Sequence, residues 1–181
     1  DANFQLYKAM VVHLWAQTWY GTWREAIPEA LAEFAEYDRA LNCFHALETL
    51  RLDALIASSL PGVHRQIQAL RAAQPLPEEP AWQAALEQLA SPNATVKDSL
   101  ALVAQVIEAT SVEAVPYQGV LKPMQVSRVR AARIESDKQA FRLGLLKLQN
   151  ALQTTQPDEA RESESAEDAR TADKLELRKV E

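Results

Sequence analysis

The sequence predicts an all-α fold: a helical bundle of five or six helices followed by a polar, charged C-terminal tail. Three observations carry that expectation. Only four glycines, Gly21, Gly62, Gly119 and Gly144, occur in 181 residues, too few for the tight turns and close backbone approaches of most sheet folds. Alanine, leucine, glutamate and glutamine, all strong helix formers, are abundant. Apolar residues also recur at three- and four-residue steps along most of the chain up to about residue 153.

The first helix is expected over Asn3 to Tyr20. Phe4, Tyr7, Met10, Val11, Leu14 and Thr18 line one face, and Trp15 and Trp19 widen it. Gly21 supplies the stop. A second helix begins near Pro28, a residue suited to a first turn, with Glu29 at the positive end. Its stripe runs Leu31, Phe34, Tyr37, Leu41, Phe44, Leu47 and then shifts to Leu52, Leu55, Ile56 and Leu60. The shift implies a bend, a break near Thr49, or burial on two sides. Pro61-Gly62 ends this element, and Val63, Ile67 and Leu70 mark a short amphipathic helix.

Pro75, Pro77 and Pro80 make residues 75 to 80 a stiff connector, because prolines this close cannot share a helix interior. A helix from Ala81 to Ala90 carries Trp82, Leu86 and Leu89. Asn93 is the expected N-cap of the next one, with Val96, Leu100, Val103 and Ile107 on one face and an end at Thr110. Ser111 to Pro123 reads as a loop or short extended hairpin. From Met124 the helical pattern returns, with Phe141, Leu145, Leu148 and Leu152 at steps of four, three and four. The expected organisation is a helical domain over 1–153 and a solvated tail over 154–181, where aromatics are absent and Glu, Asp, Ser, Ala and Arg dominate the first half.

The chain opens on Asp1, as a processed product or a fragment would. A net charge of −6 and a pI near 5.2 argue against a nucleic-acid or membrane-surface role for the chain as a whole. The lone Cys43 excludes an internal disulfide and any multi-cysteine metal site, and fits the reducing cytoplasm. No apolar run nears the roughly 20 residues of a membrane span. No Gly-x4-Gly-Lys-Ser/Thr loop, G-x-G-x-x-G, G-x-S-x-G or H-E-x-x-H occurs. No catalytic residue, metal site or cofactor is therefore expected.

Four constellations come closest to chemistry. His45 and Glu48 stand one turn apart, but the di-metal pattern wants Glu-x-x-His on two helices, and no second copy lies near His13 or His64. The structural reading places His45 at the core border and Glu48 in water. Cys43 and His45, two apart on a helix, point in different directions and cannot pair. Trp15, Trp19 and Trp23 recur every four residues and are read as core or as an aromatic interface.

The fourth constellation is basic. Between Val120 and Asn150 stand Lys122, Arg128, Arg130, Arg133, Lys138, Arg142 and Lys147 against Glu135 and Asp137, a local charge of +5 in a chain otherwise at −11. On a straight helix Arg128, Lys138 and Arg142 share an arc of about 80°, and Arg130, Arg133 and Lys147 another of about 100°. Two basic faces result, rather than one stripe.

The function expected from these features is a non-catalytic helical interaction subunit, docking a protein partner through apolar helix faces and the basic segment. The alternatives are a nucleic-acid-contacting accessory subunit using residues 122–147, an enzyme with a site in the bundle core, and a small-molecule-sensing bundle.

Overall fold

The computed structural model describes residues 2–72, 75–109 and 115–155. Seven α-helices and two 3-10 turns account for most of them, and no strand occurs among the described residues. The chain divides into two compact units, Asp1–Val129 and Arg130–Glu181.

The first unit is organised around one helix. In chain order it holds α1 (Ala2–Trp19), a 3-10 turn (Thr22–Arg24), α2 (Ile27–Leu31), α3 (Tyr37–Ser59), α4 (Pro61–Arg71), α5 (Pro80–Leu89), α6 (Val96–Val106) and a second 3-10 turn (Pro116–Gln118). α3 packs against α1, α2, α4, α5 and α6. Every residue from Cys43 to Asp53 is buried, so three turns of this helix are covered on all sides. Burial on two sides is thus the cause of the shifting stripe, and α3 runs unbroken through Thr49.

Two hydrophobic clusters flank α3. One joins Ile27, Leu31, Phe44, Leu47 and Leu50 to Trp82 and Leu89 of α5 and to Leu102, Val103 and Val106 of α6. The other joins Leu52 and Ile56 to Ala9 and Ala16 of α1, Ile67 of α4, Val115 and Tyr117.

Several boundaries differ from the sequence reading. The helix expected to run on from Pro28 stops at Leu31, and α3 starts afresh at Tyr37. Leu31 and Phe44 are still buried together, so a periodicity consistent with one helix is met by two. Pro61 does not merely end α3; it opens α4 at its first turn. Thr95, not Asn93, caps α6. The Thr95 backbone N–H and hydroxyl both donate to Asp98 Oδ2, at 2.7 and 2.8 Å, in a capping box. Those bonds hold the Asp98 carboxyl below its ordinary pKa. α6 ends at Val106, short of Thr110, which lies outside the described residues with 111–114. Of the stretch expected as loop or hairpin, Pro116–Gln118 forms a 3-10 turn.

The described part of the second unit is helical: α7 spans Pro123–Thr155. Residues 156–181, most of the expected charged tail, lie outside the described residues.

Gly21 ends α1 in the left-handed region at φ 77°, where a Cβ would also sit 2.8 Å from Arg24 Cδ and Nε. Gly21→Ala is therefore expected to cost about 1–2 kcal/mol. The measurement is a lower urea midpoint at an unchanged m-value.

Candidate functional site

The buried part of α3 carries a histidine, Glu48, Arg51 and Asp53. A buried charge without partners is costly, so each must be answered by a neighbouring element. Glu48 and Arg51 form a bidentate pair: Arg51 Nε donates to Glu48 Oε2 at 2.9 Å and an Arg51 terminal N–H to Oε1 at 2.5 Å. Thr22 donates its hydroxyl to Oε1, and Ser99 of α6 donates to Oε2 at 2.8 Å. Arg51 spends further N–H groups, at 3.4 Å, on the carbonyls of Tyr20 and Ala94. Glu48 is 1 % exposed, which corrects the expectation that it faces water.

Asp53 anchors a second network on the other side of the helix. His13 Nε2–H of α1 donates to Asp53 Oδ1 at 2.9 Å, Arg71 of α4 donates to Oδ2, and Tyr117 Oη–H donates to Oδ2 at 3.2 Å. The His13 and Tyr117 rings lie 5.1 Å apart. Burial, then the Asp53 charge, push the Tyr117 phenol well above its ordinary pKa, so it stays a donor. Beside this network opens a pocket of about 390 Å³, lined by Asp53, His64, Gln68 and Arg71 and by small and branched apolar side chains. Its two charged groups, Asp53 and Arg71, already satisfy one another.

His45 lies at the core, 6 % exposed, with no hydrogen-bond partner for Nε2. Burial, and then His13, lower its pKa to about 4, so it is neutral in the folded protein near pH 7. No cluster of metal-ligating side chains occurs among the described residues. The Cys43 thiol is buried and its pKa raised by that burial, the opposite of an activated nucleophile.

The outer surface of α1 differs in kind. Its most buried residues are small or polar, Ala9, His13, Ala16 and Gln17, while Leu6, Met10 and Val12 pack partly buried on the second cluster. Opposite them Phe4, Tyr7, Val11, Leu14, Trp15 and Trp19 are 39–67 % exposed, over an arc of about 140° at 100° per residue. Apart from Met10, which packs partly buried on the second cluster, the apolar stripe in the sequence is therefore the outward face of this helix. Trp15 stacks on Trp19 with ring centroids 5.7 Å apart and meets Tyr20 edge-on at 5.7 Å. Tyr20 Oη is fixed 2.6 Å from Ser59 Oγ. Trp23, the third of the series, belongs elsewhere: it sits in the 3-10 turn after Gly21 and packs partly buried on the first cluster.

The basic residues Lys122, Arg128, Arg130, Arg133, Lys138, Arg142 and Lys147 are all exposed. Lys138 pairs with Glu135 at 2.7 Å one turn back. No helix among the described residues is long and apolar enough to cross a membrane. No protein-family model, curated protein or solved structure matches the chain.

Two predictions follow from the buried charges. Glu48→Ala strands Arg51 in the core and is expected to cost about 3–5 kcal/mol in chemical denaturation. Glu48→Leu with Arg51→Met should recover part of that loss, the remainder reflecting the unpaired Thr22 and Ser99 hydroxyls. His45 takes up a proton near pH 6.5 when unfolded but only near pH 4 when folded. Its contribution to stability, present above pH 6.5, is lost as pH falls from 6.5 to 4, by roughly 3 kcal/mol in all. Denaturation midpoints across that range should fall less steeply in His45→Leu than in the parent.

Proposed function

We propose that this protein is a non-catalytic interaction subunit whose principal contact is the aromatic outer face of α1. The observation that carries this reading is the inversion of that helix. Its fully buried positions are small or polar, and Leu6, Met10 and Val12 are only partly covered, while four aromatics, a valine and a leucine face outward. Burying a large apolar side chain is worth about 1.5–3 kcal/mol, and only an external surface can recover that gain here. The stacked, tethered Trp15–Trp19–Tyr20 group supports the same reading, since rigid aromatics make effective interface anchors at small entropic cost.

The partner surface that fits is an apolar, weakly charged face of another protein. Lys8 is the sole Asp, Glu, Lys or Arg residue in α1, whereas helices that lie on membranes usually carry a basic polar face. Exposed cations of α7 add a second, acidic-surface-seeking contact, divided between two sides of the helix as the sequence indicated.

The test places a photo-reactive phenylalanine analogue at position 19 or, as an exposed control, at position 87, in cells of the native source. A discrete protein adduct at 19 that disappears with Val11→Asp, and none at 87, is the expected outcome. Val11→Asp should change stability by less than about 0.5 kcal/mol, as surface substitutions do. Absence of an adduct, with α1-dependent binding to phosphatidylglycerol vesicles instead, would overturn the reading in favour of a membrane. Oligonucleotide binding that weakens steeply with salt and is lost on reversing Arg128, Lys138 and Arg142 would overturn it in favour of nucleic acid.

A further inference from the structure

α7 carries an apolar seam in its second-unit portion that the α1 contact does not use. Ile134, Phe141, Leu145, Leu148 and Leu152 are 43–68 % exposed. Their steps of seven, four, three and four place them at alternating d and a positions of a heptad repeat, with Lys138 at the one polar a position. A stripe this narrow matches a coiled-coil seam rather than the broader face of a bundle helix.

The charges flanking that seam select the occupant. In the same register Arg130 and Asp137 occupy g, and Glu135 and Arg142 occupy e. Parallel, in-register strands bring each g residue opposite the e residue five positions on in the partner. Arg130 then meets Glu135 of a second copy, and Asp137 meets Arg142. Both are attractive, and two-fold symmetry makes each occur twice. An antiparallel pair that sets Leu145 against Leu148 leaves Arg142 opposite the neutral Gln149 with no attractive pair, and the register that sets Ile134 against Leu152 places Arg142 against its own counterpart. An antiparallel pair slid by one heptad keeps only Glu135–Arg142, with Lys138 facing Phe141. We infer that α7 pairs with a second copy of this chain as a parallel, in-register two-stranded coiled coil along Ile134–Leu152.

Lys138 fits this arrangement because its ammonium already lies 2.7 Å from Glu135 Oε1, so each strand brings a counterion to the polar layer. Such a layer lowers stability but fixes register. The pairing leaves Arg133 and Lys147, both at c positions, on the outer surface for other contacts. Leu143 and Leu146, at f and b, also remain outside the seam, 60 % and 54 % exposed. The pairing stands apart from the α1 contact, and α1 variants should leave it unchanged.

The experiment uses the 181-residue chain in sedimentation equilibrium. The expected species has twice the 20.2 kDa chain mass and becomes a monomer with Leu148→Asp. Arg142→Glu sets like charges against Asp137 and should weaken the dimer about tenfold, whereas adding Asp137→Arg should restore it. That rescue is specific to parallel pairing, because in the slid antiparallel register residue 142 faces Glu135 and the second change does not help. Leu148→Cys should form a disulfide-linked dimer under mild oxidation, since the same layer meets itself only in register. A monomer at every concentration, dimerisation indifferent to Arg142→Glu, or a trimer or larger species recruiting Leu143 and Leu146 would each overturn the proposal. Circular dichroism of the variants keeps loss of folding distinct from loss of pairing.

Discussion

The constraint on which the first unit depends is the burial of α3 through its own charged residues. A helix covered on all sides from Cys43 to Asp53 would be simple to build from apolar residues alone. This one carries Glu48, Arg51 and Asp53 in that stretch, and each fixes neighbours in particular places. Glu48 requires Thr22 on one side and Ser99 on the other, so the turn after Gly21 and α6 are both held to α3 by hydrogen bonds. Asp53 requires His13, Arg71 and Tyr117, which fixes α1, α4 and the second 3-10 turn. The hydrophobic clusters supply most of the burial, while the charges restrict which packing is acceptable. An arrangement missing one of these partners leaves an uncompensated charge in the core.

The same constraint shapes the surface. For His13 to reach Asp53, the inner face of α1 must come close, and Ala9 and Ala16 allow that approach. The aromatic side chains of α1 lie outward, while Leu6, Met10 and Val12 pack partly buried beside that approach. An exposed aromatic face is thus the complement of a buried ion-pair network, and the two features have one geometric origin. The pocket beside Arg71 follows similarly, since Arg71 leans toward Asp53 and leaves space bordered by His64 and Gln68.

How much of this could be read in advance varies by element. The stop at Gly21, the connector around Pro75 and Pro77 and the helices after Pro80 and Pro123 rest on backbone rules that tertiary structure rarely overrides. The break between Leu31 and Tyr37 was illegible because Leu31, Phe34 and Tyr37 keep helical spacing across it. The Thr95–Asp98 capping box, by contrast, stood in the sequence as Thr-x-x-Asp and was passed over for Asn93. The expectation that Glu48 faces water fails for a deeper reason. A Glu and an Arg three apart on a helix look like a surface pair, and only the third dimension shows that Thr22 and Ser99 enclose them. The heading of α1 was equally hidden, since apolar residues occur on both of its sides and periodicity cannot say which side meets the core. The basic residues of α7 and the leucine seam were both legible, but not that their e and g charges are mutually complementary, because that depends on a heptad register anchored by Phe141 and Leu145.

The two outward apolar faces are best weighed by what they forgo. Sequences usually place their largest apolar side chains where burial returns most, yet the fully buried positions of α1 are Ala, His, Ala and Gln, and Leu6, Met10 and Val12 are only partly covered. Phe4, Tyr7 and Trp19 remain about two-thirds exposed, forgoing about 1–2 kcal/mol each in this chain alone. Such a loss matters against a typical net stability of about 5–15 kcal/mol. Polar residues at those sites would leave the α3 networks intact, since none of the three contributes to them. The aromatics are therefore unexplained by the stability of the fold that displays them. A surface outside the chain accounts for them, and the same reasoning extends to the leucines of α7, where the heptad spacing further specifies what shape that surface takes.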